Sequence, residues 1–487
     1  MKIRNEAVFY INGKRYSVGA PQAGLMLSDF LRYELSLTGT KVVCAEGGCG
    51  ACTVLCLFIK KKSQTYLPVN SCIIPVALMD GSSIITIEGI QTAQHELHEV
   101  QKNILKHHGS QCGFCTPGVV VTLAGMVEKT LNKPEGLVSK KPERQKIKNA
   151  LTGNLCRCTG YEPIIKSGSN IDLSKCTPLQ SRYLSRSEEK DLLNTVKQPL
   201  LIESEGFSYF SPTSMSEAVK YLAENKDACI VSSCTALGVS HNKYKIRLRN
   251  LMSLQLIDEY HRISMQKSRI HVGARVTLSE LRTAVAAKIP ELSRFINLFA
   301  SPQIKNMATL AGNVGNASPV GDLLPFLLVS DAKIFLISKH GKRTVPVEEF
   351  FIDYKKTVLR RGEIISAISF DIPGKNEVLR MFKASQRKDL DISAVSAVFR
   401  IVWSEQGPKK IASARIAYGG VGPTPMRLFK TERLLEGAHL SPELFSKTAV
   451  RLQSEIHPTS DLRGSEAYRR IVAQNFLRRL FLEVCET

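Results

Sequence analysis

The chain has 487 residues, 43% of them apolar, and a formal charge of +22, which is too long for one core and suggests about three globular domains rather than a disordered polymer. It holds no run of about 18 apolar residues, and its first ten residues carry Lys2, Arg4 and Glu6 with no apolar stretch, so neither a membrane span nor secretion is expected. The basic residues are dispersed: even the densest run, Ser139 to Lys148, includes Pro142 and Glu143 and no aromatic for base stacking, which favours a solvated face or an acidic partner over nucleic acid.

Taken in order, Val8 to Val18 alternates about Asn12-Gly13, the pair that supplies the positive φ angles of a two-residue hairpin turn. Leu27, Phe30, Leu31 and Leu35 recur at helical spacing before Thr38-Gly39, and strand-like runs follow at Thr53 to Ile59 and Ser83 to Ile87. From Gln91 to Ile165 the pattern is helical, with Pro117 and Pro142 where first helical turns tolerate proline. Residues 167–205 mix Ser, Asn, Lys and Glu with little period and read as a linker. Short strands then alternate with helical patterns to about Pro373. Val378 to Trp403 and Ile411 to Gly420 are strand-rich, and Tyr468 to Val484 forms one last amphipathic helix. No repeat, P-loop or G-x-G-x-x-G is present, so a Rossmann dinucleotide site has no support.

Eight of the 13 cysteines fall into two tight sets, and Cys56, Cys176, Cys229, Cys234 and Cys485 are scattered. Clustered thiols without a secretion signal read as metal ligands rather than disulfides, and the scattered five as small buried apolar groups. Cys44, Cys49, Cys52 and the distant Cys72 make C-x4-C-x2-C plus one, the plant-type ferredoxin spacing. Three thiolates from one loop must wrap a cluster a few ångströms across, and Gly47, Gly48 and Gly50 permit the turn. Structural zinc motifs usually pair short C-x2-C knuckles, a poor match here. The second set is Cys112, Cys115, Cys156 and Cys158. By spacing alone, tetrahedral zinc explains it nearly as well as an iron–sulfur cluster.

Sequence context goes further. Gln111-Cys-Gly-Phe-Cys-Thr-Pro-Gly118 and Gly153-Asn-Leu-Cys-Arg-Cys-Thr-Gly-Tyr161 closely resemble the helical 2Fe–2S domain of the molybdenum hydroxylase family, which includes xanthine dehydrogenase, aldehyde oxidase and carbon monoxide dehydrogenase. The resemblance implies that Cys112, Cys115, Cys156 and Cys158 hold the cluster nearer molybdenum and Cys44, Cys49, Cys52 and Cys72 the one nearer FAD. It also implies that Pro117 and Thr159 lead into helices whose amino termini face the anionic cluster. The basic stretch around Ser139 to Lys146 lengthens the gap between Cys115 and Cys156 and is expected to be a surface insertion.

The likeness continues over Phe299 to Pro325, Asp353 to Thr357, Phe382 to Ser393, Tyr418 to Gly422 and Ser460 to Arg463, which are similar to the family's FAD domain. It implies that Thr309, Gly312 and Asn313 lie along the FAD diphosphate, that Phe299 rests against the flavin, that Asp322 binds the adenosine ribose and that Lys383 sits near the ring as the catalytic candidate. Ser233 and Thr235 belong to the other phosphate loop, where Ser232 to Ala236 lacks the family's glycine; Ala311 likewise replaces a glycine.

The fold expected from this resemblance is α+β and multidomain: a ferredoxin-like β-grasp 2Fe–2S domain at residues 1–90, a helical-bundle 2Fe–2S domain at 91–166, the linker, a two-subdomain FAD-binding domain at 206–375 and an α+β C-terminal flavoprotein domain at 376–487. The xanthine dehydrogenase branch is favoured because iron–sulfur and flavin parts share one chain. The implied role is a cytoplasmic electron-transfer subunit that takes electrons from a molybdopterin-binding large subunit oxidising hypoxanthine or xanthine to urate, works in a heterotetramer, and passes them through two clusters to FAD and NAD+. Two alternatives stay open: an iron–sulfur sensor with an impaired flavin site, and an aldehyde oxidase-type relative.

Overall fold

The computed structural model of the chain describes residues 3–59, 65–91, 94, 96–132, 140–405 and 410–485. Of the expected surface insertion, Ser139 to Lys146, Ser139 lies outside the described residues; Lys140, Lys141, Glu143, Arg144 and Gln145 are exposed, Pro142 is buried, and a helix starts at Arg144. Two compact units are formed, one from Met1–Asp258 with Ser301–Ala308, the other from Glu259–Ala300 with Thr309–Thr487. The architecture is α+β with mixed sheets and helices.

The first unit opens with the hairpin Ala7–Ile11 and Lys14–Val18, turning at Asn12 and Gly13 with φ of 50° and 81°. These two strands are one edge of a five-stranded sheet continued by Ser82–Ile85, Thr53–Phe58 and Leu67–Asn70. The central pairing of Ala7–Ile11 with Ser82–Ile85 is parallel and the rest are antiparallel. Thr53–Phe58 is buried at every position, as a strand covered on both faces must be. One cover is the helix Thr116–Leu131, whose apolar side chains Val119, Val121, Leu123 and Val127 share a core with Leu55 and Leu57. Around it pack Glu99–Lys106, Arg144–Leu151 and Glu162–Ser169. A second sheet, ordered Leu200–Ser204, Phe207–Ser211, Asn250–Ser253, Cys229–Val231, carries the helices Met215–Glu224 and Leu237–Tyr244.

Residues 167–205 are not an extended linker. They form the helices Leu179–Tyr183 and Arg186–Thr195, with Leu179, Tyr183, Leu192 and Val196 buried. The cause is a charge on another element: the buried carboxylate of Glu128, on the helix Thr116–Leu131, accepts the backbone N–H groups of Leu179 at 2.7 Å and Gln180 at 3.0 Å. Two otherwise unpaired amides at a helix start are satisfied that way, and a capping box between Ser185 and Glu188 starts the next helix.

The second unit holds a five-stranded sheet in the order Ile263–Gln266, Arg269–Gly273, Ile364–Asp371, Lys333–Ser338, Gly341–Pro346, antiparallel throughout. A separate antiparallel sheet runs Glu377–Ala384, Val395–Trp403, Ile411–Gly419, Met426–Arg427. The helices Pro442–Glu455 and Glu466–Cys485 back this sheet, with Leu452, Leu477 and Leu480 in one core with Phe399 and Ile416. Among the described residues no helix is long and apolar enough to cross a membrane.

Candidate redox centres

The loop Cys44 to Cys52 leaves the sheet with left-handed backbone at Ala45, Gly47 and Gly50, and so folds its sulfurs to one side. The thiols of Cys44 and Cys49 meet, as do those of Cys52 and Cys72, and Cys44 also reaches Cys72. Cys44 is pulled down by hydrogen bonds with Cys49 and Cys72, while Cys72 is pushed up by its contacts with Cys44 and Cys52 and by burial. Backbone N–H groups are aimed at these sulfurs from Glu46, Cys49, Ala51 and Gly47, an environment that favours thiolate, the metal-binding form. The loop is tied down from two sides. Asn70 Nδ2 donates to Gly47 O at 2.8 Å, and Asn242 Nδ2 donates to Ala45 O at 2.9 Å and to Cys72 O at 2.8 Å.

The second set lies at helix ends. Cys115 is the N-cap of Thr116–Leu131, and Cys156 and Cys158 precede Glu162–Ser169, which starts after Tyr161 in a left-handed conformation at φ 69°. Cys112 pairs with Cys158, and Cys115 with Cys156. Burial, then the contact with Cys156, pushes Cys115 up to about 12. Burial works in the same direction on Cys156, but the Thr159 hydroxyl at 3.2 Å and the amides of Thr159 and Cys158 outweigh it and draw that thiol down. Cys112 and Cys158 are exposed, with Phe114 beside them.

Four thiols brought together, with backbone amides on their sulfurs, are the donor set that a two-iron core takes, two cysteines to each iron. Both sets therefore fit 2Fe–2S clusters. Of the scattered cysteines, Cys56 and Cys234 are buried and Cys176 is half-buried, but Cys229 is exposed at the start of an edge strand, contrary to expectation. The side chain of Cys485 lies outside the described residues.

The flavin-side residues divide between the units. In the first, Ser233 is buried and Thr235 half-buried, and the loop between them turns through Cys234 at φ 64°, where a glycine or asparagine would be unstrained. In the second, Phe299 closes the helix Pro290–Leu298, and Thr309 caps Leu310–Asn316 by accepting the Gly312 N–H at 3.0 Å. Asn313 Oδ1 is buried with no partner among the described residues, an acceptor left for a ligand. Lys383 Nζ donates to Asp322 Oδ2 at 2.7 Å, and Ser393 Oγ donates to Asp322 Oδ1 at 2.5 Å. Asp322 and Lys383, expected at the adenosine ribose and near the ring, are thus partners of each other, with side chains 5% and 3% exposed.

Residues 9–77 match the 2Fe-2S iron-sulfur cluster binding domain, 86–168 the [2Fe-2S] binding domain, 205–373 the FAD binding domain in molybdopterin dehydrogenase and 380–484 the CO dehydrogenase flavoprotein C-terminal domain. The chain is 29% identical to a xanthine dehydrogenase/oxidase of Gallus gallus over 99% of its own length and 40% of that protein's. It is also 29% identical to xanthine dehydrogenase 1 of Arabidopsis thaliana, over 98% and 40%. It thus spans about 40% of the length of these curated relatives. Among solved structures, quinoline 2-oxidoreductase from Pseudomonas putida 86 aligns with a TM-score of 0.53 at 25% identity, covering 57% of this chain and 97% of that one. A Cu,Mo-CO dehydrogenase gives 0.51 at 26% identity, covering 56% and 95%.

Proposed function

The chain belongs to the molybdenum hydroxylase family as its iron–sulfur and flavin part, and from that premise we propose that it serves a xanthine dehydrogenase, relaying electrons from a molybdopterin-bearing partner that oxidises hypoxanthine or xanthine to urate toward FAD and NAD+. The observation that carries the relay is the direct packing of the two cysteine loops. The backbone N–H of Leu155, next to Cys156, donates to the carbonyl of Cys49 at 2.9 Å. The xanthine assignment is supported by the names of the relatives matched along nearly the whole chain.

Within that reading, Cys44, Cys49, Cys52 and Cys72 would hold one cluster and Cys112, Cys115, Cys156 and Cys158 the other. A 2Fe–2S cluster supplies a one-electron site, and a flavin a site that exchanges hydride with a nicotinamide. The amides aimed at the sulfurs balance thiolate charge. The exposed rim of Cys112, Phe114 and Cys158 is the proposed contact with the molybdopterin subunit, in a heterotetramer. Thr309, Gly312 and Asn313 would contact the diphosphate, and Phe299 the flavin. Lys383 and Asp322 are assigned together to the ring side, where the carboxylate fixes the ammonium in place. The chain is proposed to act in the cytoplasm.

Reduced NAD should bleach flavin and cluster absorbance in the purified chain, and xanthine should do so only after a molybdenum subunit is added. Bleaching by xanthine without that subunit overturns the division of labour. Cluster absorbance in protein that releases no FAD on heating favours the iron–sulfur sensor instead.

A further inference from the structure

Two buried side-chain amides that belong to neither cysteine set lie between the two loops. Gln303 is 1% exposed, and its Nε2 donates to Asn154 Oδ1 at 3.0 Å, with Thr122 Oγ1 at 3.3 Å and Thr53 Oγ1 at 3.4 Å. Asn154 is 3% exposed, and its Nδ2 donates in turn to Gly50 O at 3.1 Å. Each residue reached in this way is close in sequence to a cysteine. Thr53 follows Cys52, Gly50 follows Cys49, Thr122 lies on the helix capped by Cys115, and Asn154 precedes Leu155-Cys156.

The loops have no slack where they touch. A Cβ on Gly50, which stands at φ +71°, would lie 2.1 Å from Gly153 O, and one on Gly153 would lie 2.0 Å from Gln303 Oε1. Buried amides that lose their partners are costly, so the bonds given by Gln303 Nε2 and Asn154 Nδ2 resist sliding of the segments they join, although Gln303 Oε1 has no partner among the described residues. The bond it guards is the one from Leu155 N to Cys49 O, at 2.9 Å.

We propose that Asn154 and Gln303 are positioning residues for electron exchange between the two clusters. They hold the Cys49 carbonyl against the Leu155 amide and so fix the gap between one ligand set and the other. Neither touches a sulfur, so the clusters themselves assemble without them. This rests on the reading of both cysteine sets as 2Fe–2S sites.

The test uses the purified, cluster-loaded chain with two variants. Asn154→Asp keeps the acceptor toward Gln303 and loses the donor toward Gly50, and Gln303→Leu removes the other link at similar volume. Iron content is measured first, then low-temperature electron paramagnetic resonance of the fully reduced protein, then the time for electrons to equilibrate between clusters after rapid partial reduction. Both variants are expected to retain iron and both sets of g-values. They should lose the splitting that arises from magnetic coupling between the clusters and equilibrate severalfold more slowly. Unchanged splitting and equilibration in both variants overturns the proposal. So does loss of iron from one set in both variants, since the pair would then support a cluster and not the gap. Failure of the unaltered chain to show two iron–sulfur signals counts instead against the cluster reading.

Discussion

The cysteine loops and the flavin-side residues are held by different means. Each thiol set is gathered by a short loop or by two helix ends inside one unit, and its remaining hydrogen bonds come from backbone amides a few residues away. Several flavin-side residues are already engaged: Thr309 caps its own helix, and Asp322 is held by Lys383 and Ser393. Thiol contacts are therefore built inside one unit, with Asn242 tying the first loop down from far along the chain. The flavin side depends on distant partners, so single substitutions there should cost folding as well as binding.

The largest expected effect follows from that contrast. Cys156→Ala should abolish one iron–sulfur signal and about half of the iron, as one of two two-iron sites implies, and leave the other signal in place. Joint loss of both signals would mean that the sets are not separate. On the flavin side, Lys383→Ala strands the Asp322 carboxylate in a site where the two side chains are 3% and 5% exposed. Removing one partner of such a buried pair costs about 3–5 kcal/mol. Denaturant unfolding of the variant should report that loss, with iron content unchanged; full stability would show that Asp322 had found water.

A smaller effect sharpens the comparison within the iron–sulfur unit. Val100 N donates to His98 Nδ1, which caps the helix Glu99–Lys106, and burial, then the charge of Lys102, pulls His98 down to about 4. The folded protein thus binds this proton less readily than the unfolded chain, whose histidine titrates near its ordinary value of 6.5. The contribution of His98 is fully present above pH 6.5 and is lost as pH falls toward about 4, about 3 kcal/mol in all. His98→Asn keeps a capping acceptor and should flatten this part of the stability–pH curve; an identical curve would remove His98 from the account. The smallest effect is Thr309→Ala, expected to cost about 1 kcal/mol through the lost cap and to weaken FAD retention, read as flavin released during gel filtration.

The same contrast decides what could be seen in the sequence. A cluster dictates residue type, number and spacing, so the two cysteine sets that the structure gathers were legible from the chain, as were the Asn12-Gly13 hairpin and the helix after Pro117. Gln303 and Asn154 were not, because amides are common and the two stand 149 positions apart. Residues 167–205 looked like a linker because the carboxylate that orders them, Glu128, lies 51 residues before Leu179. The partnership of Asp322 with Lys383 was hidden in the same way: each residue was singled out, but the contact joins a loop to a strand 61 residues on.

The central claim is that this chain carries two 2Fe–2S centres, and iron analysis with electron paramagnetic resonance on anaerobically prepared protein tests it most directly. The account predicts about four irons per chain, no stoichiometric zinc and two distinguishable signals on reduction. Zinc in place of half the iron, with a single signal, would contradict it.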